Sequence, residues 1–271
     1  MNDDTAASRT GLPAPGRPLL SLVVITKNEA HRLAACLASV PFAGEVVIVD
    51  SGSVDGTPEL ARRLGARVIE TADWPGFGPQ KNRALAAATG DWVLSLDADE
   101  RASPQLAVQI RAVVEGGGTS DTGGPAAYTL SRLSSLAGQW MRHGDWYPDP
   151  VLRLFRRGVA RFSDDAVHER LVCAGRLGHL DGHLLHVSID TLDDCVAKMN
   201  RYSSARALAL RRRGRRGGLG AAVGHGVWAF VRSYVVRRGF LDGAMGFVLA
   251  VSAAEGTYYS YLKASLEVAA E

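Results

Sequence analysis

The sequence predicts an α/β fold: a mostly parallel sheet with helices on both faces, followed by a helical C-terminal extension. Short continuous apolar runs alternate with helical periodicity from Leu19 to Glu115, as in strand-helix-strand units with right-handed crossovers. Polar or acidic residues stand directly after successive runs, at the strand edge where open α/β sheets bind ligands. After residue 190 the pattern changes to long helical stretches that are basic, apolar and aromatic.

Leu19 to Thr26 is the first buried strand and ends in the polar turn Lys27-Asn28-Glu29. Leu33, Cys36, Leu37 and Val40 mark the inner face of a helix. Glu45 to Asp50 is the second strand, followed by the turn Ser51 to Gly56. Thr57-Pro58-Glu59 opens a helix with Thr57 as N-cap and Pro58 at its first position. Ala66 to Glu70 is a short third strand, and the loop Trp74 to Pro79 leads into a helix at Gln80. The fourth strand, Trp92 to Leu96, runs into Asp97, Asp99 and Glu100, and Ser103-Pro104 caps another helix. Gly116 to Pro125 reads as a linker, so a first half spans 19–125. Strands at Ala127 to Leu133, Val151 to Arg156 and Leu177 to Val187 are expected to form a smaller mixed sheet in a second half, 126–190. Helices over Thr191 to Arg213, Leu219 to Val236 and Phe240 to Leu266 make up the extension, 191–271.

With 46% hydrophobic and 22% charged residues, the chain is neither disordered nor fibrous. Its net charge of +3 is modest but unevenly placed: no acid lies between Asp194 and Asp242, where lysine and arginine recur. That segment calls for an anionic partner or surface. Cys36, Cys173 and Cys195 form no C-x-x-C pair, which excludes a disulfide framework and points to a reducing, cytoplasmic setting. Residues 1–18 are polar and rich in small residues, and are expected to be a disordered leader without a signal peptide.

The first strand is followed by Lys-Asn-Glu and not by G-x-G-x-x-G, and no P-loop sequence occurs, so dinucleotide and P-loop chemistry are disfavoured. Asp97 and Asp99, two apart across the small Ala98, can converge on one hard cation such as Mg²⁺ or Mn²⁺. Taken alone, Asp-x-Asp fits a solvated acidic turn equally well. Glu29, Asp50 and the Asp97/Asp99 pair, at three strand ends facing one crevice, make the stronger signal.

The stretches S-L-V-V-I-T-K-N-E, V-V-I-V-D-S-G-S-V-D-G-T, Q-K-N-R-A-L and W-V-L-S-L-D-A-D-E resemble the inverting family 2 glycosyltransferases of GT-A fold. The likeness continues through D-P-V-L-R-L-F-R-R (149–157), A-V-H-E (166–169), His186 and N-R-Y-S (200–203), and is nearest to the lipopolysaccharide inner-core glucosyltransferase subgroup. It implies a nucleotide-sugar donor, usually a UDP-sugar, whose diphosphate is held through Mg²⁺ or Mn²⁺. It places Ile25, Thr26, Glu29 and Asp50 around the nucleoside and Lys81 near the diphosphate or base. Asp97 would face the ribose and the metal's waters, and Asp99 the metal itself. His186 would approach from the second half. Glu169 is implied as the general base, with Asp165 and then Asp164 and Asp149 in reserve; the plainer reading of Glu169 is a salt-bridge partner of Arg170 or Arg161.

Direct displacement at a sugar requires a neutralised diphosphate leaving group and a carboxylate to take the acceptor's proton, so the chemistry suits these residue types. Two departures from the family matter. Ser51 stands where many members carry a second acid, and Gln139-Trp-Met-Arg142-His143 precedes the expected base, whereas processive members carry Q-x-x-R-W after it. Transfer of a single sugar is therefore expected.

His179, His183 and His186 suggest zinc only at first glance, since no cysteine lies in register with them. Trp140, Trp146 and Tyr147 suit either a stacked sugar or packing over the sheet edge. In the extension, no apolar run reaches the roughly 20 residues that span a bilayer. Arg211 to Arg216 with Trp228, Phe230 and Tyr234 suit an interfacial helix on anionic lipid, and a packed hairpin or dimer contact equally.

The function expected is transfer of one hexose, glucose from UDP-glucose, with inversion onto a lipid-linked saccharide at the inner face of the cytoplasmic membrane. A nucleotidyltransferase is a rival, but the glycine-rich basic loop it would need after the first strand is missing. A noncatalytic anionic-ligand binder is another, and it leaves the D-A-D-E acids without purpose. The same acids disfavour a nucleic-acid partner.

Overall fold

The computed structural model describes residues 19–116, 124–163, 170–215 and 217–266. They form two compact units, 19–131 with 150–184, and 132–149 with 185–266.

In the first unit, strands β1 (Leu20–Thr26), β2 (Glu45–Asp50), β3 (Arg67–Glu70) and β4 (Trp92–Asp97) pair in parallel in the order β3-β2-β1-β4. The sequences of β1, β2 and β4 are largely continuous apolar runs because both faces are covered. Leu20, Leu22 and Val24 pack with Leu33, Cys36 and Leu37 of helix α1 (Ala30–Ala38). Val23, on the opposite face, packs with Ala84 and Ala88 at helix α3 (Phe77–Ala87). Helix α2 (Thr57–Arg63) lies between β2 and β3 in sequence.

Beyond β4 the sheet becomes mixed. Short β5 (Glu100–Ala102) leads to helix α4 (Pro104–Glu115), whose Ser103 side chain accepts the Leu106 N–H as expected of a cap. Strands β6 (Ala127–Leu136), β8 (Asp149–Arg156) and β11 (Leu177–Ile189) extend the same sheet in the order β4-β8-β6-β11-β5, with β8 antiparallel to β4. The smaller mixed sheet expected of the second half is part of this same sheet, which these strands continue. Gly182 explains one close approach, since a Cβ there would lie 2.5 Å from Leu106 Cα. A separate two-stranded ribbon joins β9 (Ala160–Phe162) to β10 (Leu171–Cys173).

The second unit holds the ends of β6 and β11, the two-residue β7 (Gln139–Trp140) paired to β6, and three helices. Helix α5 (Leu192–Arg212) starts in a capping box in which Thr191 Oγ1 accepts from Asp194 N–H and the Asp194 side chain from Thr191 N–H. Helices α6 (Leu219–Val231) and α7 (Gly243–Leu266) pack with it around Ala207, Leu210, Ala222, Tyr261 and Ala264. Lys263 Nζ ties α7 to α5, donating to Asn200 Oδ1 at 2.7 Å, Ser203 Oγ at 2.8 Å and Ser204 Oγ at 2.9 Å.

Several helix boundaries differ from expectation. Helix α2 begins at Thr57 itself, with Gly56 as N-cap at φ 85°, because Asp55 supplies the cap-like bond to Thr57 N–H and takes the Thr57 hydroxyl. Helix α3 begins at Phe77, ahead of Gln80. The helix expected to Val236 changes at Val231 into a π-turn, Arg232–Val236, and α7 starts only after a 3₁₀ turn, Gly239–Asp242.

Candidate active site

Register assembles the site. Thr26 lies opposite Asp50 across β1 and β2, and Ile25 opposite Asp97 across β1 and β4, so these strand ends form one edge. Ile25 is half-buried and Thr26 buried.

Asp97 ends β4 and is held by two cations. Lys81 Nζ of α3 lies 2.8 Å from its Oδ1, and Arg153 Nη2 of β8 lies 2.7 Å from its Oδ2. Lys81 is buried, its ammonium 5.3 Å from the centre of the Phe162 ring. Arg153 also pairs at 2.7 Å with Glu100, which is wholly buried and accepts the Asp97 N–H. Burial by itself would lower the Arg153 pKa; Glu100 and Asp97 outweigh that and raise it, so the guanidinium stays charged. Glu100 is therefore an internal counterion, although it stands in the acidic run. Sequence reasoning assigned Arg153 no role. The signal was there: an arginine inside the apolar stretch Val151 to Phe155 must find a buried acid.

Asp99 follows in the turn, half-buried. Its negative charge is felt at Glu29, whose carboxyl is pushed above its ordinary value first by burial, with Asp99 and Asp55 adding to the rise and Arg32 and His31 opposing it. Glu29 Oε2 is a buried oxygen with no hydrogen-bond partner. A hard divalent cation suits this place, since it would relieve the repulsion and occupy the orphaned oxygen's surroundings. Among the described residues no three acids, histidines or cysteines gather into a cage, so such an ion would draw its remaining ligands from phosphate and water, as Mg²⁺ and Mn²⁺ do.

Asp50, expected beside the nucleoside, organises the turn at the end of β2. Its Oδ1 accepts the N–H groups of Gly52 and Ser53, and its Oδ2 the hydroxyls of Thr26 and Ser53. It is fully buried and fastens the 51–53 turn to the edge of β1. Gln80 Nε2 donates to Ser51 Oγ at 3.0 Å, so the residue that departs from the family joins the same network. Cys36, buried beneath the edge, has its thiol pushed up by burial and by the nearby acids Glu100, Asp97 and Asp99.

Glu169 and Asp165, like Asp164, lie outside the described residues. His186 lies in the second unit on β11, its Nδ1 2.9 Å from Ser134 Oγ. In that unit Asp149 pairs with Arg132 at 2.8 Å. His179 bonds to Thr129 and Ser131 on the neighbouring strand; along β11 the four-residue spacing keeps His183 on the face of His179, and the three-residue spacing sends His186 to the other. Trp146 packs against Leu136, Met141 and Leu249, the plainer of its two readings.

A parallel sheet with an Asp-x-Asp turn, a buried lysine and a buried arginine at its C-terminal edge defines a nucleotide-diphosphosugar transferase of GT-A type. The chain belongs to glycosyl transferase family 2, whose model matches residues 21–146. An uncharacterised glycosyltransferase of Rickettsia prowazekii is 31% identical over 84% of this chain and 80% of its own length. The lipopolysaccharide core biosynthesis glycosyltransferase LpsC of Rhizobium meliloti is 29% identical over 93% of this chain and 92% of its own. Among solved structures, the mannosyltransferase PcManGT of Pyrobaculum calidifontis, in complex with GDP-Man and Mn²⁺, shares the fold at TM-score 0.52 and 17% identity, over 92% of this chain and 88% of that one.

Proposed function

We propose that this glycosyltransferase moves a single hexose, glucose from UDP-glucose, with inversion onto a lipid-linked saccharide such as lipopolysaccharide core. The observation that carries the donor reading is the Asp97 carboxylate clamped by Lys81 and Arg153 beside Asp99 and Glu29. The clamp fixes Asp97 before substrate arrives, so little reorganisation remains for binding. Lys81 brings a positive charge to the edge where a diphosphate would lie. Asp99, with Asp97 through water, would hold Mg²⁺ or Mn²⁺, which when bound supplies Lewis-acid neutralisation of the leaving diphosphate. Ile25, Thr26 and the turn organised by Asp50 line the nucleoside side. Glu169, with Asp165 in reserve, takes the acceptor proton. The LpsC relative supports a lipid-linked core saccharide as acceptor.

The protein works at an anionic membrane surface, the inner face of the cytoplasmic membrane, and the exposed side chains of the second unit support the membrane contact. No helix among the described residues is long and apolar enough to cross a membrane. Yet Val227, Trp228, Val235, Phe240 and Leu241 stand 47–60% exposed in a segment whose arginines include exposed Arg212, Arg213 and Arg215. Large exposed apolar side chains beside cations suit lipid contact. The deciding experiment incubates the protein with a panel of nucleotide-sugars and Mg²⁺ or Mn²⁺, without and with lipopolysaccharide core acceptor, and measures released nucleotide. Acceptor-stimulated release of UDP from UDP-glucose is expected; turnover confined to another donor would overturn the choice of sugar, and none at all the reading itself.

A further inference from the structure

The second unit contains a cleft of about 370 Å³ that the donor site does not use, between the 142–148 loop and the 236–238 turn. Three guanidiniums, Arg142, Arg237 and Arg238, line it together with His143, Tyr147 and Val236. We propose that this cleft binds the anionic substituent, a phosphate or carboxylate, of the acceptor saccharide; as an acceptor site it rests on the transferase reading above.

The charge balance favours an anion. Asp242 is consumed, its Oδ1 2.8 Å from His143 Nδ1 and its Oδ2 accepting the His143 N–H at 2.8 Å. Asp145 is shared by Arg232 at 2.7 Å and Arg237 at 3.4 Å. Arg142 and Arg238 have no acid partner among the described residues, so two guanidinium groups beside the cleft remain for a ligand. Guanidinium matches phosphate and carboxylate geometry.

The cleft is built, not incidental. Gly144 N–H donates to Arg237 O at 2.9 Å, which ties the loop to the turn directly, and Gln139 Nε2 donates to Asp242 O at 2.7 Å, which ties the segments that flank them. The π-turn Arg232–Val236 precedes Arg237 and Arg238, and Arg238 sits in the left-handed region at φ 56°, where a long side chain is uncommon. Gly239 follows because a Cβ there would lie 2.7 Å from Ser233 O.

A sugar is favoured over bare phosphate by Tyr147 and Val236, which offer an aromatic and an apolar surface next to the cations. The volume is of the size that holds one small ligand. Exposed Val235, Val236, Phe240 and Leu241 lie along the same turn, so a saccharide carried on lipid would meet the cleft at the membrane surface.

The test measures binding by calorimetry with glucose 6-phosphate, glucose and inorganic phosphate as probes, and cosedimentation with phosphatidylcholine vesicles containing phosphatidic acid. Wild type and an Arg142→Gln/Arg238→Asn double variant are compared, asparagine being tolerant of the left-handed backbone. Glucose 6-phosphate is expected to bind wild type more tightly than glucose or phosphate, and to lose about tenfold in affinity for each arginine removed. Melting temperature and UDP-glucose affinity, read separately, report folding and the donor site. Equal binding of glucose 6-phosphate by a folded double variant would overturn the site. Phosphate binding as tightly as the sugar phosphate, or arginine-dependent binding of phosphatidic acid vesicles with none of the sugar phosphate, would overturn the saccharide. A protein that fails only with UDP-glucose would instead count against the donor reading.

Discussion

Arg153 reaches Asp97 across an antiparallel strand pair, Nη2 to Oδ2 at 2.7 Å, and the same nitrogen holds the buried Glu100. One arginine thus fixes the last residue of the central strand and neutralises the acid behind it. Breaking a buried pair on one side leaves the other charges uncompensated. Arg153→Ala is expected to cost about 3–5 kcal/mol of stability, read as a lower midpoint in urea unfolding.

Asp99→Ala should leave stability near wild type, because a half-buried turn acid outside the apolar core contributes little to folding. Transfer activity is expected to fall to near background, and EDTA should reproduce the loss with the wild type. Full turnover by either would remove Asp99 from the metal site.

Glu29 carries a pH signature. Its carboxyl is raised above its ordinary value, so its favourable contribution is complete below that ordinary value and is lost as pH rises through the raised one. At neutral pH the ionised group is a liability that Glu29→Gln removes. The variant should melt higher than wild type at pH 7, with the difference closing toward acid, while donor affinity in Mg²⁺ weakens. A variant that melts lower at pH 7 contradicts the raised value.

For the proposed base, Glu169→Gln should retain UDP-glucose binding and lower kcat by about 10²- to 10⁴-fold. If turnover is unchanged and Asp165→Asn abolishes it, the proton acceptor is Asp165.

Membrane attachment should depend on charge. Replacing Arg211, Arg212, Arg213, Arg215 and Arg216 together by Gln is expected to move the protein from anionic vesicles to the supernatant, as high salt should for wild type, since each basic residue near the leaflet contributes about 1 kcal/mol. Cosedimentation indifferent to both would favour a packed hairpin or dimer contact.

The sequence by itself determined the strands β1, β2 and β4, because burial on both faces writes each as a largely apolar run, and it placed acids at or just after their ends. It also determined the start of α5, since a capping box is a local pattern in which Thr191 and Asp194 satisfy each other. Only the tertiary structure decided which of the acids are held inside by partners from distant strands. Glu100 and Arg153 are 53 residues apart and meet because β8 runs beside β4, and Asp50 is turned inward by Thr26, 24 residues away on the next strand. Likewise His143 and Asp242, 99 residues apart, close one end of the basic cleft. Strand order, register and helix packing set these meetings, and they depend on every element at once, so a residue's own neighbours in the chain do not carry them.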